Sequence, residues 1–309
     1  MIIITLKGGL GNQMFQYSCG RAFSLRINTP LKLDVSGFRQ TNDSETPRDY
    51  LLSNFLITED IATNDEIKKL KYPYGIISKS WRYLRIKIFR KFYTDFESRL
   101  FSKINLSNSE FSTHLDGYWQ TEKYFTDYAD TIRKEFTLKH PFSLKSQAFS
   151  DIITKTKNIG SVTVSLHVRR GDVARDAWKN LYYGITTPEY YKIAMEALVA
   201  KINLDGNTDS KNIHIFVFSD DIEWVKQNIK IPFQTTYVSG DKSAEQIPDY
   251  EELILMSMCD HNIIANSSFS WWGAWLNKNP NKIVIAPKKW IRKKQWQHKD
   301  ICPSTWIRV

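Results

Sequence analysis

His167-Val168-Arg169-Arg170-Gly171-Asp172 closes an apolar run, SVTVSL. Two guanidiniums and an imidazole at the end of a buried strand are costly without a partner. A diphosphate is the natural one, since a guanidinium is planar, permanently charged and able to hold two phosphate oxygens at once. The alternative is an internal ion network in which Asp172 and Asp176 neutralise the arginines.

Three further stretches carry the same logic. Asn266 to Trp275 (NSSFSWWGAW) opens a helix directly after a strand, and Ser267 and Ser268 stand where free N–H groups and hydroxyls converge, a second place for an anion. The tryptophans at 271, 272 and 275 are expected to pack that helix into the core rather than to stack on a ligand. FSDD, Phe218 to Asp221, sets two adjacent carboxylates after a strand, one to accept hydrogen bonds from a ribose or base and the other to cap the next helix. Near the start, KGGLGNQ (Lys7 to Gln13) has glycines that let backbone N–H groups approach an anion, with Asn12 and Gln13 offering amides to a polar ligand. It is equally readable as a tight strand-to-helix turn without a ligand. From Gly9 it gives G-x-G-x-x-M, which fails the dinucleotide fingerprint, and no GK[ST] follows to make a P-loop.

Other chemistries lack their residues. Ser267 has no Gly-x-Ser-x-Gly elbow around it. Cys19, Cys259 and Cys302 form no CxxC pair, and His114, His140, His214, His261 and His298 are scattered without ligand spacing, so no metal site is expected.

The elements that must position these groups follow from periodicity. Ile2 to Leu6 is a β-branched run, Gln13 to Leu25 is helical and Leu31 to Val35 is a second strand. From Ser161, short apolar runs end in polar loops: SVTVSL before HVRRGD, HIFVF before SDD, NIIAN before SSFSWW. Tyr190 to Lys201, Ile222 to Asn228 and Glu251 to Met258 supply helices between them, and NKIVIAP is one more strand. Alternating buried strands and helices imply an α/β fold with a doubly wound parallel sheet, whose ligands bind beyond the strand carboxyl ends. At 309 residues the chain exceeds one comfortable core, so two domains are expected, an N-terminal α/β unit at 1–155 and a C-terminal one at 156–309.

Net charge is +10, and residues 68–103 hold +9 of it, with eleven Lys or Arg against Asp95 and Glu97. The near-neutral remainder speaks against nucleic acid bound over a broad face. Trp81, Leu84, Ile88, Phe92, Phe96 and Leu100 recur at three and four, which predicts a helix over 81–100. Its basic face is solvated, rests on an anionic membrane, or tracks a single nucleic-acid strand through its aromatics; the first is the plainest reading. Thr121 to Phe136 also has helical spacing. No apolar run is long enough for a signal-peptide core or a membrane span. A reducing cytoplasm is the expected compartment, with a peripheral position at the inner face of the plasma membrane if the basic segment meets lipid.

Together, GGLGNQMFQY, HVRRGD, FSDD and NSSFSWWGAWL, running from residue 8 to residue 276, resemble the bacterial α-1,2-fucosyltransferases of glycosyltransferase family 11. That resemblance implies a GT-B architecture, two Rossmann-like domains facing a cleft, with the N-terminal one on the acceptor side. It implies a GDP-fucose donor, no metal or other cofactor, and inverting transfer of fucose to O2 of a terminal galactose. The acceptor would be a β-galactoside-terminated glycan, lipid-linked if made for a surface polysaccharide. Arg169 and Arg170 would hold the pyrophosphate, His167 and Asp220 would lie near guanine or ribose, and Ser267, Ser268 and Phe269 near the phosphates. Gly9, Gly11, Asn12 and Gln13 fall in the glycine loop, with Asn12 close to the reaction centre. Asp172 is the candidate base by position, or else a structural partner of the arginines. Val173 departs from the aromatic residue the family pattern leads one to expect. A different nucleotide sugar or linkage, or a binding protein without turnover, are the competing readings.

Overall fold

A computed structural model describes residues 1–39, 48–71, 92–94, 112–170, 184–204, 212–238, 246–291 and 300–309. The chain divides into two compact units, Met1–Lys139 and His140–Val309.

The N-terminal unit is built on a parallel sheet of order β2-β1-β4-β3. Its strands are β1 (Ile2–Thr5), β2 (Leu31–Asp34), β3 (Phe92–Thr94) and β4 (Thr113–Asp116). The β-branched run Ile2, Ile3, Ile4 is completely buried, as a strand covered on both faces requires. Gly8, at φ +78°, turns the chain into helix α1 (Leu10–Arg26). Helix α2 (Asn64–Lys71) begins at a capping box, in which Thr63 N donates to Glu66 Oε2 (2.8 Å) and Glu66 N to Thr63 Oγ1 (3.2 Å). Helix α3 (Ala129–Glu135) is tied to α1 through Glu135, which accepts from Tyr17 Oη at 2.7 Å and from Arg21 Nε at 2.9 Å.

Two expectations change here. Phe92–Thr94 is not helical: it is an edge strand paired in parallel with β4, where ladder hydrogen bonds and a Phe-Tyr-Thr run suited to a pleated surface override the three-and-four spacing. The rest of the expected helix, 81–91 and 95–100, lies outside the described residues, as does most of the basic segment. Thr121 to Phe136 is not one helix but two 3-10 turns, Glu122–Tyr124 and Thr126–Tyr128, ahead of α3. Phe125 between them leaves helical geometry at φ −133°.

The C-terminal unit opens with α4 (Leu144–Asn158), so the division falls at Lys139 and His140 and not near 155. The reason is packing within the second unit: Ser143, the N-cap of α4, gives its N–H and hydroxyl to Glu251, and Ile153 is buried with Phe216, Phe218 and Leu255. The chain continues through β5 (Val162–Val168), α5 (Pro188–Leu204), β6 (Ile213–Ser219), α6 (Ile222–Asn228) and β7 (Gln234–Tyr237). It then runs through α7 (Asp249–Met258), β8 (His261–Ile263), α8 (Ser268–Leu276), β9 (Val284–Ala286) and β10 (Ile307–Arg308).

The six strands lie in the order β10-β9-β8-β5-β6-β7, all parallel. The first strand of the unit is therefore central, the next two wind to one side and the last three to the other, which is the doubly wound order of a dinucleotide-binding domain. Both faces of β6 are buried, Ile213, Ile215 and Val217 against α5 and Phe216 and Phe218 against α4 and α7. This is why these strands read as unbroken apolar runs.

Candidate donor site at a topological switch point

Winding reverses between β5 and β8, and in doubly wound sheets the crevice beyond the strand ends at such a point is where ligands bind. The loop after β5 carries Arg169 and Arg170, and the loop after β8 carries Ser267, Ser268 and Phe269. Arg169 Nη1 donates to Ser267 Oγ at 3.3 Å, across the switch point. The same Oγ accepts from Phe269 N at 3.3 Å, so Ser267 caps α8 while it holds the arginine. Ser268 is the first residue of that helix.

Helix α8 is anchored for this task. Trp271 and Trp272 are completely buried and Trp275 nearly so, and Trp271 Nε1 donates to Ile301 O at 2.7 Å. At its far end Lys282 Nζ donates to the carbonyls of Ala274 (2.8 Å), Trp275 (3.2 Å) and Asn277 (2.8 Å), a cation on the negative end of the helix.

His167, the penultimate residue of β5, is buried, with its ring 5.7 Å from that of Phe269. Burial, and secondarily the charge of Arg169, depress its pKa to about 3, so the imidazole is neutral. Its Nδ1 is buried and has no hydrogen-bond partner among the described residues. A buried imidazole nitrogen in that condition is uncommon in a folded protein.

Arg170 is held from two sides. Its backbone N–H donates to Asp220 Oδ1 at 2.9 Å, and its guanidinium lies 3.8 Å from the ring centroid of Trp224 and 3.6 Å from Asp221 Oδ2. Asp221 also caps α6 through Trp224 N, at 3.2 Å. The two carboxylates thus divide their work: Asp220 fixes the turn after β5, and Asp221 caps a helix and neutralises Arg170. The counter-ions expected from the sequence, Asp172 and Asp176, lie outside the described residues.

Sequence reasoning missed the tyrosines that pin this edge from below. Tyr191 Oη donates to His167 O at 3.2 Å and pairs with Thr186 Oγ1 at 2.5 Å; Tyr190 Oη donates to Ile264 O at 2.6 Å. Burial raises both phenols well above their ordinary range, which keeps them protonated donors. They fix the ends of β5 and β8. Their signal was a Tyr-Tyr pair inside a helical pattern, which reads as ordinary core.

The expected residues of the glycine loop belong to the N-terminal unit. Gly9 is the N-cap of α1 and Gly11 lies in its first turn. Gln13 is completely buried, and its amide is used within the protein: Nε2 donates to the carbonyls of Gly8 (2.9 Å) and Asp49 (2.8 Å), and Oε1 accepts from Leu51 N (3.0 Å). Gln13 is thus a clamp on the loop at 49–51, not an amide held out to a ligand. Asn12 Oδ1 accepts from Gln120 Nε2 at 2.8 Å, a partner the sequence did not indicate. Among the described residues no group of three or more His, Cys, Asp or Glu is placed to hold a metal ion, and no helix is long and apolar enough to cross a membrane.

Comparison with known proteins supplies the family. The chain is 32% identical over 313 residues to an Escherichia coli protein named Alpha-1,2-colitosyltransferase, covering 100% of this chain and 99% of the relative. It is 30% identical over 302 residues to the E. coli O-antigen biosynthesis glycosyltransferase WbnK, covering 93% of each. To mouse Galactoside 2-alpha-L-fucosyltransferase Sec1 it is 24% identical over 279 residues, covering 89% of this chain and 64% of the relative. Residues 1–309 match the family model described as Glycosyl transferase family 11, and the chain belongs to that family.

Proposed function

We propose that this glycosyltransferase is an inverting, metal-independent galactoside 2-α-L-fucosyltransferase of GT-B type, which moves L-fucose from GDP-fucose to O2 of a terminal β-galactoside. The observation that carries the reading is the convergence of Arg169, Ser267 and the N-terminus of α8 at the switch point of a doubly wound sheet.

In the transfer, the acceptor oxygen forms a bond to the anomeric carbon as the bond from that carbon to the β-phosphate oxygen breaks. Negative charge gathers on the departing GDP. Preorganised cations and N–H dipoles stabilise that charge more in the transition state than in the ground state. Arg169, Arg170 and the N-terminal dipole of α8 supply both, which leaves no step that needs a metal. The hydroxyl proton passes to a base, for which Asp172 is the candidate by position. His167, neutral and with a buried Nδ1 that has no partner among the described residues, is the candidate for a ribose or base contact.

A second reading has one specific support. The E. coli relative that this chain matches end to end is named for colitose, which is fucose without its 3-hydroxyl. Donor choice then rests on whether that hydroxyl is bound. The acceptor is proposed as a lipid-linked glycan of a surface polysaccharide, in keeping with the basic segment 68–103 and a site of action at the cytoplasmic face of the membrane.

The test is incubation with GDP-fucose or GDP-colitose and a panel of β-galactosides in EDTA, following GDP release and mapping the linkage. Acceptor-dependent release from GDP-fucose with fucose on O2 is expected. Preference for GDP-colitose selects the second reading, and no release from either refutes both.

A further inference from the structure

The edge of the N-terminal sheet carries a second polar cluster. It stands on the segments following β1 and β4, which are neighbours in the sheet. Lys7 Nζ lies 2.7 Å from Asp116 Oδ1 and 5.2 Å from the ring centroid of Tyr118. Two residues on from Tyr118, Gln120 Nε2 donates to Asn12 Oδ1 at 2.8 Å.

The turn that presents these groups is strained. Trp119 has φ +52°, a left-handed conformation that a bulky side chain rarely adopts. Thr121 N closes the turn on Trp119 O at 2.8 Å, and the tryptophan ring is buried edge-on against Tyr124, with centroids 5.5 Å apart. Along the turn Tyr118 is 44% exposed, Trp119 is buried, and Gln120 Nε2 donates to Asn12 Oδ1. Among the described residues, Tyr118 is the one aromatic among the exposed large apolar side chains. Asp116 Oδ2, Gln120 Oε1 and Asn12 Nδ2 have no hydrogen bond from the described residues, so the polar groups beside the ring retain acceptor and donor capacity.

A half-exposed aromatic ring that shares a lysine with a carboxylate and lies two residues from a pair of amides is the chemistry that recognises a pyranose. The ring's negative face takes the sugar's C–H groups, and the polar groups take its hydroxyls. A galactose ring suits it: its axial 4-hydroxyl leaves the hydrogens on C3, C4 and C5 together on one face, an apolar patch that glucose lacks.

We propose that Tyr118, Asp116, Gln120 and Asn12 form the acceptor-sugar site, with Tyr118 as the platform under a β-galactopyranoside. Lys7 orients the platform and the carboxylate together, and the left-handed Trp119 presents them. The proposal rests on the glycosyl-transfer reading above and adds to it the residues that choose the acceptor.

The experiment uses the full chain and methyl β-D-galactoside as probe, with sugar binding read by saturation-transfer NMR in the presence and absence of GDP. Tyr118→Ala is expected to abolish the sugar signal and raise the acceptor KM about tenfold with little change in kcat, whereas Tyr118→Phe, which keeps the ring, restores both. GDP affinity, measured by calorimetry on the same samples, reports that each variant is folded. Equal sugar signals from wild type and Tyr118→Ala overturn the proposal, as does failure of Tyr118→Phe to rescue. Failure of the wild type to bind GDP, with the sugar signal lost only in Tyr118→Ala, strikes the donor assignment and leaves the sugar site standing. Should Tyr118→Ala not fold, Gln120→Ala gives the second reading of the site, with a weakened sugar signal expected and an unchanged one counting against it.

Discussion

Arg169 and Ser267 are 98 residues apart in sequence, yet Arg169 Nη1 donates to Ser267 Oγ at 3.3 Å, joining the loops that follow the adjacent strands β5 and β8. A guanidinium is thereby held at the start of a helix whose own N–H groups point the same way. The diphosphate of the proposed donor would meet both features at once, the guanidinium fork and the helix N-terminus.

Ser267→Ala removes both the cap of α8 and the arginine's partner. It is expected to lower stability by about 1 kcal/mol, the usual worth of such a cap, and to weaken GDP binding several-fold. Thermal melting and calorimetry on the same preparation check the two effects separately.

Arg170→Lys keeps the charge but loses the planar fork that lies over Trp224 at 3.8 Å. The fold should survive with a small drop in melting temperature, while kcat/KM falls about a hundredfold, the scale of losing one preorganised charge donor. Steady-state kinetics near wild type would contradict a role in transfer.

His167 makes stability fall on acidification. Burial depresses its pKa from 6.5 to about 3, so between those values the unfolded chain takes up a proton that the folded chain refuses. Stability that is complete above pH 6.5 is therefore lost as pH falls through that window, by roughly 2 kcal/mol at pH 5. Denaturant melts at pH 7.5 and pH 5 should show this loss, and His167→Gln should abolish most of it. Asp34 and Asp260 are both held below the ordinary carboxylate value by hydrogen bonds despite their burial, so their own contribution is lost only at more acidic pH than 5.

Gly273 marks the contact of α8 with α7. A Cβ there would stand 2.9 Å from Met256 Cβ and 3.2 Å from its sulfur, neither of them the free end of a flexible chain. Gly273→Ala is expected to destabilise by about 1–3 kcal/mol despite the better helix propensity of alanine. Urea unfolding measures it, and a gain in stability would show that the helices can part.

Much of the C-terminal unit was legible because its strands end where their apolar runs end. Val162–Val168 and Ile213–Ser219 are buried on both faces, so HVRRGD and SDD stand out as polar tails that only a sheet edge explains. Strand order was not legible: nothing in the runs themselves says that β8 lies beside β5, and the Arg169–Ser267 bond depends on it. In the N-terminal unit the ambiguity was chemical. Gln13 and Asn12 look alike as exposed amides after a glycine, but Gln13 faces inward along α1 and is consumed by Gly8, Asp49 and Leu51, whereas Asn12 meets Gln120. The turn at Tyr118 to Gln120 was hidden for a different reason. A left-handed tryptophan has no sequence signature, since tertiary packing against Tyr124 imposes it.

The most direct measurement is calorimetric titration of GDP into the wild-type protein and into Arg169→Ala, with UDP as comparison. GDP is expected to bind the wild type more tightly than UDP, and loss of the guanidinium to weaken it at least tenfold, as for one charge-assisted hydrogen bond to phosphate. Equal GDP affinity for wild type and Arg169→Ala would place the nucleotide elsewhere and contradict the switch-point assignment.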